Sequence, residues 1–170
     1  AAEQLRDRLS VLGVANVYPL EKENGVNIAT FNSFGHRIVR PEFGNYDVLQ
    51  GREERQFVKN AIDKSGIRLS PMRGEDPVGD VIAASARVRR GLVPYYSETL
   101  EFKQPNGVMT VDLNDIWLPM RQAQESKKLL TYDDQIYSAL NLLLKDPVLR
   151  REFQKRYRFI LVDEYQDLND

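Results

Sequence analysis

Apolar residues recur four apart at Leu5 and Leu9, with charges between them, which predicts a helix over residues 1–9. Val14 to Tyr18 is a short β-like run. Asn24-Gly25 signals a turn, and Val26, Ile28 and Ala29 form a strand candidate leading into Thr30. The next helix carries Phe34, Ile38 and Val39 on one side, with Asn32 or Ser33 placed to cap it and Pro41 to end it. Gly51 to Lys64 is amphipathic, with Phe57, Val58, Ala61 and Ile62 inward and Gly66 just past its end. Ser70 to Gly79, rich in Pro and Gly, reads as loop, and a helix from Val78 or Asp80 to Arg90 follows. Leu100 and Phe102 alternate with Glu101 and Lys103; after Gln104-Pro105-Asn106-Gly107 comes Val108 to Leu113, which predicts a β-hairpin with Asn-Gly at its turn.

The last third is patterned more strongly. Trp117 to Lys128 is helical in part, with Pro119 limiting where the helix can start. Thr131 with Asp134 has capping-box spacing ahead of Tyr132, Ile136, Ala139, Leu140 and Leu143, which share one helical face. Asp146-Pro147 opens another helix, with Leu149 and Phe153 on its apolar side. Phe159-Ile160-Leu161-Val162 has no polar interruption and reads as a strand buried on both faces, the kind found in parallel sheets under helices.

Composition narrows the function classes. With 42% hydrophobic and 29% charged residues, the 170-residue chain is an ordinary soluble domain, or a small core with a subdomain. A net charge of −1 makes any nucleic-acid contact local. Without cysteine there are no disulfides and no thiolate metal sites, which fits a reducing cytoplasm; the single histidine, His36, disfavours a His-based zinc site. No apolar run reaches bilayer-spanning length, and no membrane partner is expected.

The chemistry concentrates at the end of the apolar strand. Asp163 and Glu164 are adjacent carboxylates at its C-terminal end, the edge where open α/β sheets bind ligands. Nucleotide hydrolysis needs one carboxylate to hold Mg2+, usually through water, and another to position or deprotonate the attacking water. Asp163 suits the first role and Glu164 the second, while Gln166, able to donate and accept, could sense the terminal phosphate. The plainer alternative is two acids that merely end a strand.

The full string Val162-Asp163-Glu164-Tyr165-Gln166-Asp167-Leu168-Asn169 resembles the Walker B box of UvrD/Rep-like superfamily 1 helicases, with Leu168 where the family has Thr. Thr30-Phe31-Asn32-Ser33-Phe34 resembles that family's Thr-Phe-His-Ser motif, which touches the single-stranded DNA backbone; Asn32 stands in place of His. Thr131-Tyr132-Asp133-Asp134 is similar to the family's Asp-Phe-Asp-Asp before the Walker B strand, with a structural role. Ala1 to Leu9 looks like the tail of the motif that follows the phosphate loop.

The resemblance implies an α/β fold: a partial RecA-like parallel sheet with flanking helices, carrying an inserted, mostly helical subdomain. Residues 1–44 and 126–170 would belong to the motor domain, and residues 45–125, with a hairpin near 98–113, to the insertion. It implies ATP and Mg2+ as cofactors, single-stranded DNA and single-strand/duplex junctions as partners, translocation and unwinding as the activity, and DNA repair as the setting. Thr30, Phe31, Asn32 and Ser33 would bind DNA. The phosphate loop Gly-x-x-x-x-Gly-Lys-Ser/Thr is absent, the only Lys-Ser being Lys64-Ser65 after Asp63. The expectation is therefore a fragment lying between two halves of an ATP site, which needs the remainder of the helicase chain. A RecB- or AddA-like helicase–nuclease subunit and a non-catalytic single-stranded DNA-binding module are the alternatives.

Basic clusters add less. Arg87, Arg89 and Arg90 sit at a helix end, where cations complement the dipole or reach a phosphate. Arg150, Arg151, Lys155, Arg156 and Arg158 read as a solvated face, and Tyr95-Tyr96 as loop tyrosines or a base-stacking pair.

Overall fold

The computed structural model describes residues 2–14, 17–18, 26–91 and 98–163. Among these the chain is mixed α/β, with seven helices and short paired strands, two of the pairings parallel. It divides into two compact units: Asn45–Tyr137, and Ala1–Gly44 together with Ser138–Asp170.

The discontinuous unit begins with α1 (Ala2–Val11), which buries none of its residues. Strand β1 (Val17–Tyr18) pairs in parallel with β2 (Val26–Asn27). Helix α2 (Phe31–Phe43) buries Gly35, Ile38 and Val39 on the predicted side. Its cap is Thr30, whose Oγ1 accepts from Ser33 N at 3.2 Å, so neither Asn32 nor Ser33 plays that part. Thr30 is extended while the two residues after it are already helical, and only the extended residue can turn its hydroxyl back onto the first turn. Pro41 does not end the helix. It lies within the last turn, where one missing N–H costs little, and Gly44 ends the helix at a φ of 75°. Helix α7 (Pro147–Arg156) starts as expected, Asp146 Oδ1 accepting from Val148 N at 2.8 Å and Leu149 N at 3.0 Å. Phe34 of α2 meets Phe153 of α7 and Tyr157 edge-on, with ring centroids 5.7 and 5.4 Å apart. These aromatic contacts hold α2 against α7.

The continuous unit contains the apolar core. Strand β3 (Asp47–Leu49) pairs in parallel with β6 (Leu129–Thr131). Helix α3 (Arg52–Lys64) buries the predicted Phe57, Val58, Ala61 and Ile62 and packs on both α4 (Pro77–Gly91) and α5 (Leu113–Lys127). From α4 come Val81, Ala84 and Val88, and from α5 Leu113, Ile116 and Met120. The hairpin of β4 (Thr99–Gln104) and β5 (Gly107–Asp112) closes this core with Leu100, Phe102 and Val111. Its register pairs Gln104 with Gly107, so the two central turn residues are Pro105 and Asn106 and not Asn-Gly. Proline suits the first central position and glycine the exit, where Gly107 takes a φ of 130°.

Two further departures share one cause, packing over local propensity. Helix α5 starts at Leu113, with Asp112 Oδ1 accepting from Asn114 N at 2.8 Å, and it runs through Pro119. Leu113, Ile116, Met120 and Gln124 form a buried stripe at helical spacing, and that burial outweighs the lost hydrogen bond. In helix α6 (Tyr132–Lys145) the predicted face is only partly inside: Ala139 is buried and Leu143 half-buried as expected, whereas Tyr132, Ile136 and Leu140 are exposed and Asp134, Gln135 and Ser138 are buried. Asp134 draws that polar side in through a buried ion pair with Arg89.

Candidate functional site

Three of the residues assigned to chemistry lie at the end of the apolar run, and the structure describes one of them. Asp163 is exposed; Glu164 and Gln166 lie outside the described residues. The run before Asp163 departs from its reading as a buried strand. Phe159 and Leu161 are 91% and 98% exposed, and residues 159–162 are not in a strand. A strand buried on both faces exists only between sheet neighbours, and both parallel pairings among the described residues lie elsewhere, at β1–β2 and β3–β6.

The second group is continuous. Thr30, Phe31, Asn32 and Ser33 form the N-terminal turn of α2. Thr30 is extended, at φ −77° and ψ 160°, and its Oγ1 lies 3.0 Å from Ser33 Oγ as well as accepting from Ser33 N. That arrangement orders the turn without covering it: Thr30 and Ser33 stay exposed and the Phe31 side chain is 50% exposed. Asn32 turns inward, with its Oδ1 buried and without a hydrogen-bond partner among the described residues. The turn therefore offers an exposed aromatic ring, two hydroxyls and first-turn N–H groups at the positive end of a helix dipole. That set suits a phosphate backbone with bases beside it.

The basic groups are dispersed. Arg87 pairs with Glu98 at 2.6 Å, and Arg89, in the last turn of α4 as the dipole reading has it, is withdrawn into the core against Asp134 at 2.8 Å, which corrects the phosphate reading for that residue. Arg90 donates to the Ala86 carbonyl at 3.4 Å. On α7, Arg150 donates to the carbonyls of Leu143 and Leu144 at 3.2 and 3.4 Å, capping the end of α6, while Arg151, Lys155, Arg156 and Arg158 are exposed. Tyr95 and Tyr96 lie outside the described residues. No cluster of three or more metal-ligating side chains occurs among the described residues, and no described helix is long and apolar enough to cross a membrane.

Sequence reasoning passed over Tyr157, which stacks beside Phe153 and meets the Phe34 ring of α2 with it. Its spacing of four from Phe153 was the available signal, obscured by its place one residue beyond the helix end.

Comparison with known proteins covers the whole chain. Residues 1–170 match the family described as UvrD/REP helicase N-terminal domain. A probable DNA helicase II homolog of Rickettsia felis is 24% identical over 99% of this chain and 25% of its own length. The ATP-dependent DNA helicase PcrA of Bacillus subtilis is 22% identical, and the ATP-dependent DNA helicase UvrD1 of Mycobacterium tuberculosis 26% identical, each over 99% of this chain and 22% of its own length. The chain thus spans about a quarter of the length of these relatives, and it belongs to the UvrD/REP helicase N-terminal domain family.

Proposed function

We propose that this chain is part of the first motor domain of an ATP-dependent DNA helicase, whose intact form moves along single-stranded DNA and separates strands at junctions with duplex. The observation that carries the reading is the string Asp163-Glu164-Tyr165-Gln166-Asp167 after an apolar run, in a chain that matches the family from end to end. In this reading residues 1–44 and 126–170 are the RecA-like part and residues 45–125 the insertion. Two apolar surfaces that are exposed among the described residues support it: the stripe Tyr132, Ile136 and Leu140 on α6 and the run Phe159–Val162. Those are the surfaces that a parallel sheet with helices on its faces would bury.

Each site residue has a defined task. Asp163 is a hard oxygen donor in an exposed position, which fits Mg2+, an ion that keeps much of its water. When bound, Mg2+ would neutralise phosphate charge. Glu164 orients the attacking water and accepts its proton, and Gln166 reports on the terminal phosphate through a neutral amide. Thr30 and Ser33 hold the DNA backbone at the start of α2, Phe31 offers a ring to a base, and Asn32, with its Oδ1 turned inward, belongs to the same DNA-facing turn.

The test is a contrast of two variants in the intact parent. Glu164→Gln keeps ATP and Mg2+ binding while reducing hydrolysis roughly 10²–10⁴-fold, the usual weight of a positioned general base. Asp163→Asn raises the Mg2+ requirement and weakens nucleotide binding. Nucleotide affinity and single-turnover hydrolysis, measured with DNA present, separate the two. Near-wild-type hydrolysis by Glu164→Gln would remove the base assignment.

A further inference from the structure

Asp133 and Asp134 are adjacent acids in opposite surroundings. Asp133 is exposed, whereas Asp134 is 4% exposed and meets groups from three neighbouring elements. Its Oδ1 faces Arg89 Nε of α4 at 2.8 Å. Its Oδ2 accepts from Thr131 N and Thr131 Oγ1, both at 2.9 Å, and from Gln124 Nε2 of α5. Arg89 is itself only 5% exposed and Gln124 1%. Oδ2 thus accepts three hydrogen bonds, while Oδ1 lies in close charge contact with the Arg89 guanidinium. An asparagine here would set its NH2 group either against the three donors or against the buried cation, so the position requires a carboxylate and not merely a polar group of that size.

A helix cap alone does not require this burial. Thr131 Oγ1 accepts from Asp134 N at 3.1 Å and completes the reciprocal box, and such a box works equally well at a surface. The buried pair supplies direction. Apolar contacts tolerate a helix turning about its own axis, whereas turning the start of α6 would carry the Asp134 carboxylate away from the buried Arg89 charge that it meets at 2.8 Å. At the start of α6, Asp134 and Gln135 are inside while Tyr132 and Ile136 are outside.

We propose that Arg89 is a positioning residue for α6: through Asp134 it sets the rotation of that helix about its axis, and the ion pair is a latch between α4 and the start of α6. The latch is independent of the helicase reading, since neither nucleotide nor DNA takes part.

The chain has no cysteine, so single introduced thiols report the rotation cleanly. In the 170-residue chain with Arg89 intact, the thiol of Ile136→Cys reacts quickly with a water-soluble maleimide and that of Ser138→Cys slowly. Arg89→Met narrows the ratio of the two rates by roughly tenfold or more while hairpin amides 99–112 keep their hydrogen-exchange protection, as expected of a local opening. Arg89→Lys, which retains the charge without the planar fork, narrows it less but in the same direction; Asp133→Asn leaves it unchanged. An unchanged ratio in Arg89→Met overturns the proposal. So does a narrowing accompanied by equal loss of hairpin protection, because the pair would then supply only global stability. If Arg89→Met does not fold, an unchanged ratio in Arg89→Lys overturns it equally.

Discussion

Glu54 is half-buried on α3, and its loss of water pushes its carboxyl above the usual carboxylate range; Arg89 opposes that shift, and Asp133 and Asp134 add to it. The folded state therefore holds this proton more tightly than the unfolded chain. Ionised Glu54 costs stability, a cost that is absent below the ordinary glutamate pKa and sets in as pH rises through the raised value. Glu54→Gln should accordingly have a higher urea midpoint than the parent chain near neutral pH and an equal one in mild acid. A lower midpoint at neutral pH would mean that attraction to Arg89 outweighs desolvation. Asp76 shows the opposite sign. Its hydrogen bond from Arg55 and then that from the Gly79 N–H hold it below the usual range, so its contribution is present above the ordinary aspartate pKa and lost as pH falls through the lowered value. The side chains of Arg55 and Asp76 are both solvent-exposed, which leaves that contribution small. At this scale the sequence is readable where partners are close along the chain, as with Thr131 and Asp134. It is silent where they are remote: nothing in the local pattern joins Arg89 to Asp134, forty-five positions away.

Among the elements, α5 is the clearest case of tertiary override. Pro119 lies at its seventh position, where it leaves the carbonyl four residues earlier without an intrahelical donor. Leu113, Ile116 and Met120 are nevertheless fully or almost fully buried against α3 and α4, and each such side chain contributes about 1.5–3 kcal/mol. Pro119→Ala restores the donor at the cost of a more flexible unfolded chain, and the net gain should be about 1–2 kcal/mol, read as a raised denaturation midpoint. A loss would indicate that the proline ring fills space between α5 and the C-terminal half of α3 that alanine leaves empty. Helix α3, with a clean apolar face, and helix α7, with a capped start, match their sequence reading closely. The hairpin matches closely in its first strand, gives up Leu113 of its second to α5, and shifts at its turn, because Pro105 and Asn106 occupy the central positions and Gly107 takes the positive φ.

For the whole molecule, the large apolar cluster lies within residues 45–137, from Leu49 to Met120. The other unit rests on the Phe34, Phe153 and Tyr157 contacts and a few buried side chains of α2 and α6. The 170 residues contain no phosphate-loop motif, and Asp163 and Glu164 on their own repel a polyphosphate. The isolated chain should therefore show no steady ATP turnover above a Glu164→Gln control. Single-stranded DNA should bind weakly and lose affinity as salt rises, because a net charge of −1 gives little general attraction. Phe31→Ala with Ser33→Ala should weaken what binding remains, as measured by fluorescence anisotropy with a labelled oligonucleotide. Tight binding that survives high salt would contradict the motor-domain reading and point to an independent DNA-binding surface.

Local order in the sequence was sufficient to determine most of the helices of this protein, the strands of its hairpin, the reciprocal cap at Thr131 and Asp134, and the run of residues that carries its family resemblance. Each depends on neighbours within a few positions, where periodicity, capping and turn chemistry act. The tertiary structure decided which face of α6 turns inward, that α5 continues through a proline, and that Arg89 belongs to the core. Those outcomes rest on burial and on a charge pair between distant residues. For the same reason the apolar run 159–162 could be recognised as strand-like without becoming a strand: alternation and β-propensity describe a residue's preference, whereas a sheet requires a partner with which to share hydrogen bonds.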